Sequence, residues 1–278
     1  MCGVGTRAGG EEPAESDAPK APPPVANPNG LKPLGPPPSW STHPAFQLYT
    51  EIDLPILAVT GVISSARLAR GQPAYCAPLC DPGPVNAFDR FSAGFWNPGW
   101  ATASDVTLYS MLGATVLGLM LDEGFWDGVN DLAVITESGL SALAMASLGE
   151  LTGGRPRPFL YGTQAPLSAR LGADAALSFV SSHAALSFAV ATSLFMAERK
   201  LRPESRIPLL ILSVGLATAS FIATARVVSG YHFTTDVIGG ALVGSAMGVL
   251  VPSLHSTHVR VLPIVSDTQR GIGFAREF

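Results

Sequence analysis

Apolar residues recur along this chain in six long stretches, at 45–66, 106–121, 130–148, 175–197, 207–225 and 235–251. A helix crossing a bilayer needs about 20 apolar residues, with roughly 17 to 25 tolerated. The second and sixth stretches are short, and the first carries Glu51 and Asp53 near its start. Any one of them could be a buried helix of a soluble protein. Six in one chain, with few charges between them, predict an all-α, integral-membrane bundle of six helices over residues 45–252. Before it, residues 1–44 form a tail rich in Pro, Gly, Ala and Glu, with runs such as "APKAPPPVANPNG" and "LGPPPSW". Such a tail buries too little apolar area to offset its ordering entropy and is expected to be disordered. It lacks the charged segment and apolar run of a signal peptide. Residues 253–278 form an extension with strand-like patches and no functional reading.

Composition strengthens the membrane assignment. Of 278 residues 47% are hydrophobic and 14% charged, against about 25% charged in soluble domains. A net charge of −4 leaves no basic footprint for a nucleic-acid partner. Cys2, Cys76 and Cys80 match no zinc spacing. Cys76 and Cys80 share the Pro-rich segment "YCAPLCDPG", and the sequence leaves open whether they are bonded or free. The densest short basic loop, "ERKLRPESR", holds Arg199, Lys200, Arg202 and Arg206. The positive-inside rule places it in the cytoplasm. Alternation then puts residues 67–105, 149–174 and 226–234 outside. The expected location is a bacterial inner (cell) membrane, with the active site on the outer, periplasmic face.

Three clusters carry candidate chemistry, all on that outer side. In "ELTGGRPRPF" the prolines keep Arg155 and Arg157 out of ordinary helix, on a stiff backbone where guanidinium forks can meet phosphate oxygens. In "LSFVSSHAALSF" Ser181 and Ser182 are good capping residues, so a helix start with outward N–H groups, an anion site, falls just before His183. In "RVVSGYHFTTD" five residues separate Arg226 from His232 and three more separate His232 from Asp236. The spacing of His232 and Asp236 suits one helix face, where a carboxylate fixes an imidazole's tautomer and frees its other nitrogen. Taken singly, the first cluster also reads as a basic loop at lipid headgroups, the second as a capped helix end with an interfacial histidine, and the third as a structural His–Asp pair, although ionisable groups near spans are usually functional. Together they suit binding and attack of a phosphate. No Cys/His metal set, no Asp/Glu group for magnesium and no P-loop pattern is present, so chemistry without metal or cofactor is expected.

These residues resemble the type 2 phosphatidic acid phosphatase (PAP2) superfamily. Its signature is a lysine, six residues, Arg-Pro; then Pro-Ser-Gly-His; then Ser-Arg, five residues, His, three residues, Asp. Arg157-Pro158 matches the end of the first part, Ser181 and His183 match the second, and Arg226, His232 and Asp236 match the third. The resemblance implies a membrane helical bundle of the PAP2/acid phosphatase type, with His232 the nucleophile and Asp236 its orienting partner. It makes His183 the acid toward the leaving alkoxide and then the base toward water. Arg157, Arg226, Ser181 and Ser182 would hold phosphate oxygens. The implied substrate is a lipid phosphomonoester or lipid pyrophosphate, hydrolysed through a phosphohistidine. A phosphotransferase on the same fold, or a non-catalytic protein binding phospholipid headgroups, would use the same arginines.

The departures are Val180, Ser182 and Ala225, where the family has Pro, Gly and Ser, and Glu150, where it has lysine. No lysine lies between Lys32 and Lys200. The expectation is that Glu150 pairs with an arginine of its loop while Arg155 supplies the missing positive charge. The sequence does not indicate an oligomeric state.

Overall fold

The computed structural model of the chain describes residues 44–70, 73–256, 259–265 and 270–276; the tail expected to be disordered lies outside them except for Pro44. Seven helices follow one another: α1 (Thr50–Arg70), α2 (Pro98–Asp122), α3 (Phe125–Gly153), α4 (Leu167–Arg170), α5 (Ser182–Leu201), α6 (Ile207–Val228) and α7 (Thr234–Ser256). Strands β1 (Val259–Val265) and β2 (Arg270–Arg276) then pair antiparallel, Val259 opposite Arg276. The count exceeds six because α4, a four-residue turn, interrupts the loop before α5. By length and composition four helices can cross a membrane: α2, α3, α6 and α7. The six expected spans are therefore four on that measure.

Helix boundaries shift from the apolar stretches for local reasons. α2 starts eight residues before its stretch because Asn97 caps it, accepting from Gly99 N and Trp100 N, with Pro98 in the first turn. α5 starts seven residues into its stretch. Residues 175–181 stay out of the helix because their backbone pairs elsewhere: Arg157 N donates to Ala175 O, Ser178 N to Arg155 O, and Ser181 N to Asp236 O.

α5 lies at the centre, against α3, α6 and α7. Its buried residues are small: Ala184, Ala185, Ser187, Ala189, Ala191, Thr192 and Ser193. α7 meets it with Gly240, Gly244 and Gly248. A Cβ added at Gly244 would stand 2.1 Å from Ala185 O, and one at Gly240 would stand 2.6 Å from Ser181 O. The two backbones touch along a seam without intervening side chains, as small residues four apart allow within membranes. This is why α5 is too poor in large apolar residues to be counted a span. The outer surfaces are the reverse. Val106, Tyr109 and Leu117 on α2, Leu210 and Val214 on α6, and Leu242 and Leu250 on α7 are exposed, a belt suited to lipid.

The connections after α1, α3 and α6 converge at one end. Asn97 N donates to Ser229 O, Gly94 N to Pro158 O, Phe159 N to Gly230 O, and Cys80 N to Leu160 O. Cys76 and Cys80 are bonded there, their Cα atoms 5.0 Å apart. At the far end Arg202 pairs with Asp122 and Glu198, and Gln47 N reaches His255 O.

Candidate active site

The turn between α6 and α7 carries His232, and its shape depends on Gly230. That residue has φ +81°, and a Cβ on it would lie 1.9 Å from Phe95 O, so only glycine fits. Arg226 O then accepts from both Tyr231 N and His232 N at 3.2 Å. His232 is buried, with 2% of its surface exposed. Its Nδ1 meets Ser178 O at 2.7 Å. A carbonyl only accepts, so Nδ1 carries the proton and Nε2 keeps its lone pair. Nε2 makes no hydrogen bond among the described residues. Burial, then the nearby Arg157 and Arg226 guanidiniums, hold the imidazole pKa well below the usual 6.5. The ring is neutral at neutral pH.

Tyr231 organises the cations. Arg226 lies 4.4 Å from its ring centroid and Arg157 5.1 Å. Arg157 is buried and donates to Asp174 O (2.8 Å) and Tyr231 O (3.1 Å), with Asp174 Oδ2 at 3.6 Å. Arg226 Nη1 meets Ser104 Oγ at 3.4 Å and Asp105 Oδ1 at 3.5 Å. Its Nε is buried without a hydrogen-bond partner. Such a donor is costly to bury unless something accepts from it. His183 Nε2 meets the same Asp105 Oδ1 at 2.7 Å. One partly exposed carboxylate thus bridges an imidazole and a guanidinium.

The expected His232–Asp236 pair does not form. His232 precedes α7 rather than beginning it, so the two residues are not one helical turn apart. Asp236 Oδ2 instead accepts from Phe233 N (2.8 Å), three residues back, as the acid of a capping box does. It also accepts from Ser178 Oγ (2.6 Å). Ser178 connects the two residues, its carbonyl on His232 and its hydroxyl on Asp236.

Aspartates hold the arginine loop. Arg155 enters the site region, but its Nη1 is on Asp236 Oδ1 (2.5 Å) and Thr235 Oγ1 (2.8 Å), its Nη2 is on Asp89 Oδ2 (2.7 Å), and the group lies over Phe233. Burial alone would raise the Asp89 carboxyl, but hydrogen bonds from Thr235 and Arg155 outweigh it and hold its pKa low. Glu150 is buried and accepts from Ser182 Oγ at 2.9 Å, while the arginines bond the four aspartates just named. Ser181 caps α5, its Oγ accepting from Ala184 N at 3.5 Å.

Residues 132–260 match the family model of the PAP2 superfamily, an interval that holds all eight residues singled out from the sequence. That segment belongs to the PAP2 superfamily. Among solved structures, a match is the first transmembrane PAP2 type phosphatidylglycerolphosphate phosphatase from Bacillus subtilis. It is 18% identical, covers 73% of this chain and 94% of its own, and has a TM-score of 0.43. No curated protein matches the chain. Outside the matched interval lie Asp105, Ser104 and Asp89, which sequence reasoning missed. It also missed Ser178 and Tyr231 inside that interval. Asp105, a lone acid inside an apolar helix, was the available signal.

Proposed function

We propose that this chain hydrolyses a phosphate ester or pyrophosphate of a membrane lipid, with His232 taking the phosphoryl group. The observation that carries the reading is the state of His232: Nδ1 is held by a backbone carbonyl, leaving Nε2 as a lone-pair nucleophile beside two guanidiniums. In the first step the Nε2–P bond forms as the bond from phosphorus to the leaving oxygen breaks, and His183, which takes up a proton as the phosphate anion binds beside it, supplies that proton to the leaving oxygen. In the second, His183 removes a proton from water, the water oxygen attacks phosphorus, and the N–P bond breaks, restoring His232. Arg157 and Arg226, whose Nε lacks a partner, stabilise the charge on the non-bridging oxygens. Asp105 must yield Arg226 and His183 when the anion arrives, because it occupies both. Asp236 and Arg155 act at one remove, fixing Ser178 and the start of α7.

The outer-face assignment has two supports that do not share a premise. Arg199 to Arg206 lie at the end opposite the site, and the Cys76–Cys80 bond lies at the site end, as an oxidising compartment favours. A lipid leaving group suits a site at the end of an apolar bundle. The test is phosphate release by the purified protein from a panel of lipid phosphates and diphosphates, with trapping of an acid-labile phosphoenzyme. Release without any phosphohistidine, or release unchanged in His232→Ala, would overturn the mechanism.

A further inference from the structure

Far from the phosphate chemistry, three helices bury a second polar group. Asp53 comes from the first turn of α1, Glu137 from the middle of α3 and His255 from the last turn of α7. They are 4%, 3% and 9% exposed. His255 Nε2 stands 3.3 Å from Asp53 Oδ1 and 3.6 Å from Glu137 Oε2. One donor atom from each of the three lies within 4.8 Å of the others.

The hydrogen bonds around the group determine what it lacks. His255 Nδ1 meets Val251 O at 2.9 Å, so the single proton of the neutral ring sits on Nδ1; Nε2 faces the two carboxylates, donating to Asp53 Oδ1 when the ring is charged and offering its lone pair when it is neutral. Asp53 Oδ2 accepts from Tyr49 N at 2.6 Å, leaving Oδ1 turned inward. Glu137 Oε2 is buried with no hydrogen-bond partner. Among the described residues no lysine or arginine pairs with Asp53 or Glu137. With the ring neutral, three electron-pair donors converge on one point, and a cation bound there would offset the cost of burying two carboxylates side by side.

We propose that Asp53, Glu137 and His255 form a structural site for a divalent first-row metal ion, zinc foremost. Donors about 2.0–2.2 Å from a tetrahedral ion are separated by about 3.3 Å, close to the two distances above. An imidazole with two carboxylates suits zinc or its neighbours rather than magnesium or calcium, which favour all-oxygen shells. The carbonyl on Nδ1 and the amide on Asp53 are the outer hydrogen bonds that such ligands use. The 23 residues of α7, at about 1.5 Å each, separate this point from His232 by roughly 30 Å. Its work would be to tie α1, α3 and α7 together. The sequence pattern showed no metal set because the ligands are dispersed, Asp53 and His255 being 202 residues apart.

The test uses the full chain in detergent, stripped with chelator and desalted, then given zinc or cobalt(II) chloride alone. One equivalent of zinc should survive desalting, and cobalt should develop the visible bands of a four-coordinate site. At zinc a thousandfold above its Kd the melting temperature should rise by about 8–16 °C. Glu137→Gln and Asp53→Asn should lose the retained ion and the cobalt bands. With one buried charge removed, their metal-free forms should melt no lower than metal-free wild type, which separates lost binding from lost folding. Wild type that retains no ion, or Glu137→Gln that retains a full equivalent, would overturn the site.

Discussion

The two ends of the bundle bury different mixtures of charged groups. At the loop-rich end, Arg155, Arg157, Arg226, His183 and His232 gather around Tyr231 and Phe233, each guanidinium held by an aspartate or a carbonyl. At the other end Asp53, Glu123, Asp131, Glu137 and Glu198 predominate over Lys200 and Arg202, with His255 between Asp53 and Glu137. Burial pushes the Glu123 carboxyl up to about 9, helped by Asp131 beside it. Aspartates near cations thus need not use up every donor. At the loop end the carboxylates orient cations and leave donors such as Arg226 Nε over. At the far end acceptors are in surplus. The sign of the leftover determines which kind of ion each end can take.

The sharpest way to break this contrast is His232→Ala. It should lower phosphate release by on the order of 10^4-fold or more and abolish the phosphoenzyme, while Glu137→Gln at the far end leaves turnover per folded molecule intact. Next is Arg155→Ala, which frees Asp236 and Asp89 together. A fall in kcat of on the order of 10²-fold, with KM little changed and partial recovery in Arg155→Lys, would mark it as a positioning residue. Glu150→Lys should bring no gain, since that position is buried against Ser182. An active-site assay that shows a large increase would reinstate the missing family lysine as the defect. Gly244→Val strikes the seam joining the ends. Overpacking by about 1–3 kcal/mol should lower the melting temperature by several degrees.

The smallest effects are in pH. Because His232 is held below 6.5, the acid limb of kcat/KM that reports it should lie below that value. One at or above 6.5 would contradict its buried, cation-flanked setting. Glu123 behaves oppositely. Its folded pKa of about 9 exceeds the ordinary 4.5, so the native state holds a proton that the unfolded chain has lost. Its contribution to stability is complete below 4.5 and falls as pH rises toward 9. Melting curves of Glu123→Gln should lose that slope.

Much of this was legible from residue order. All eight candidate positions fall within one family interval, and Arg157, Arg226 and His232 meet around a single turn. What failed to show was anything depending on where the backbone's own hydrogen bonds go. His232 and Asp236 looked like partners because their spacing suits a helix, yet the helix starts two residues after His232 and uses Asp236 as its cap. Ser178 does the joining, and a serine's carbonyl has no sequence signature. Asp105 and Asp89 reach the site from α2 and the loop before it, so pattern and spacing could not associate them with residues about a hundred positions away. The 106–121 and 175–197 stretches misplaced helix starts for the same reason: capping at Asn97 and the pairing of residues 175–181 decide them.

The glycine seam bears on how the protein is made. A segment enters the bilayer from the translocon when its own hydrophobicity suffices, and α5, faced with Ala, Ser and Thr, falls short of the helices around it. The surface that accommodates it belongs to α7, synthesised after it. Integration of α5 should therefore wait for α6 and α7 to emerge, so that the turn bearing His232 is delivered together with the helix that bears His183. A nascent chain halted before Thr234 should leave α5 exposed to extraction by alkaline carbonate, and one extended past Ser256 should not.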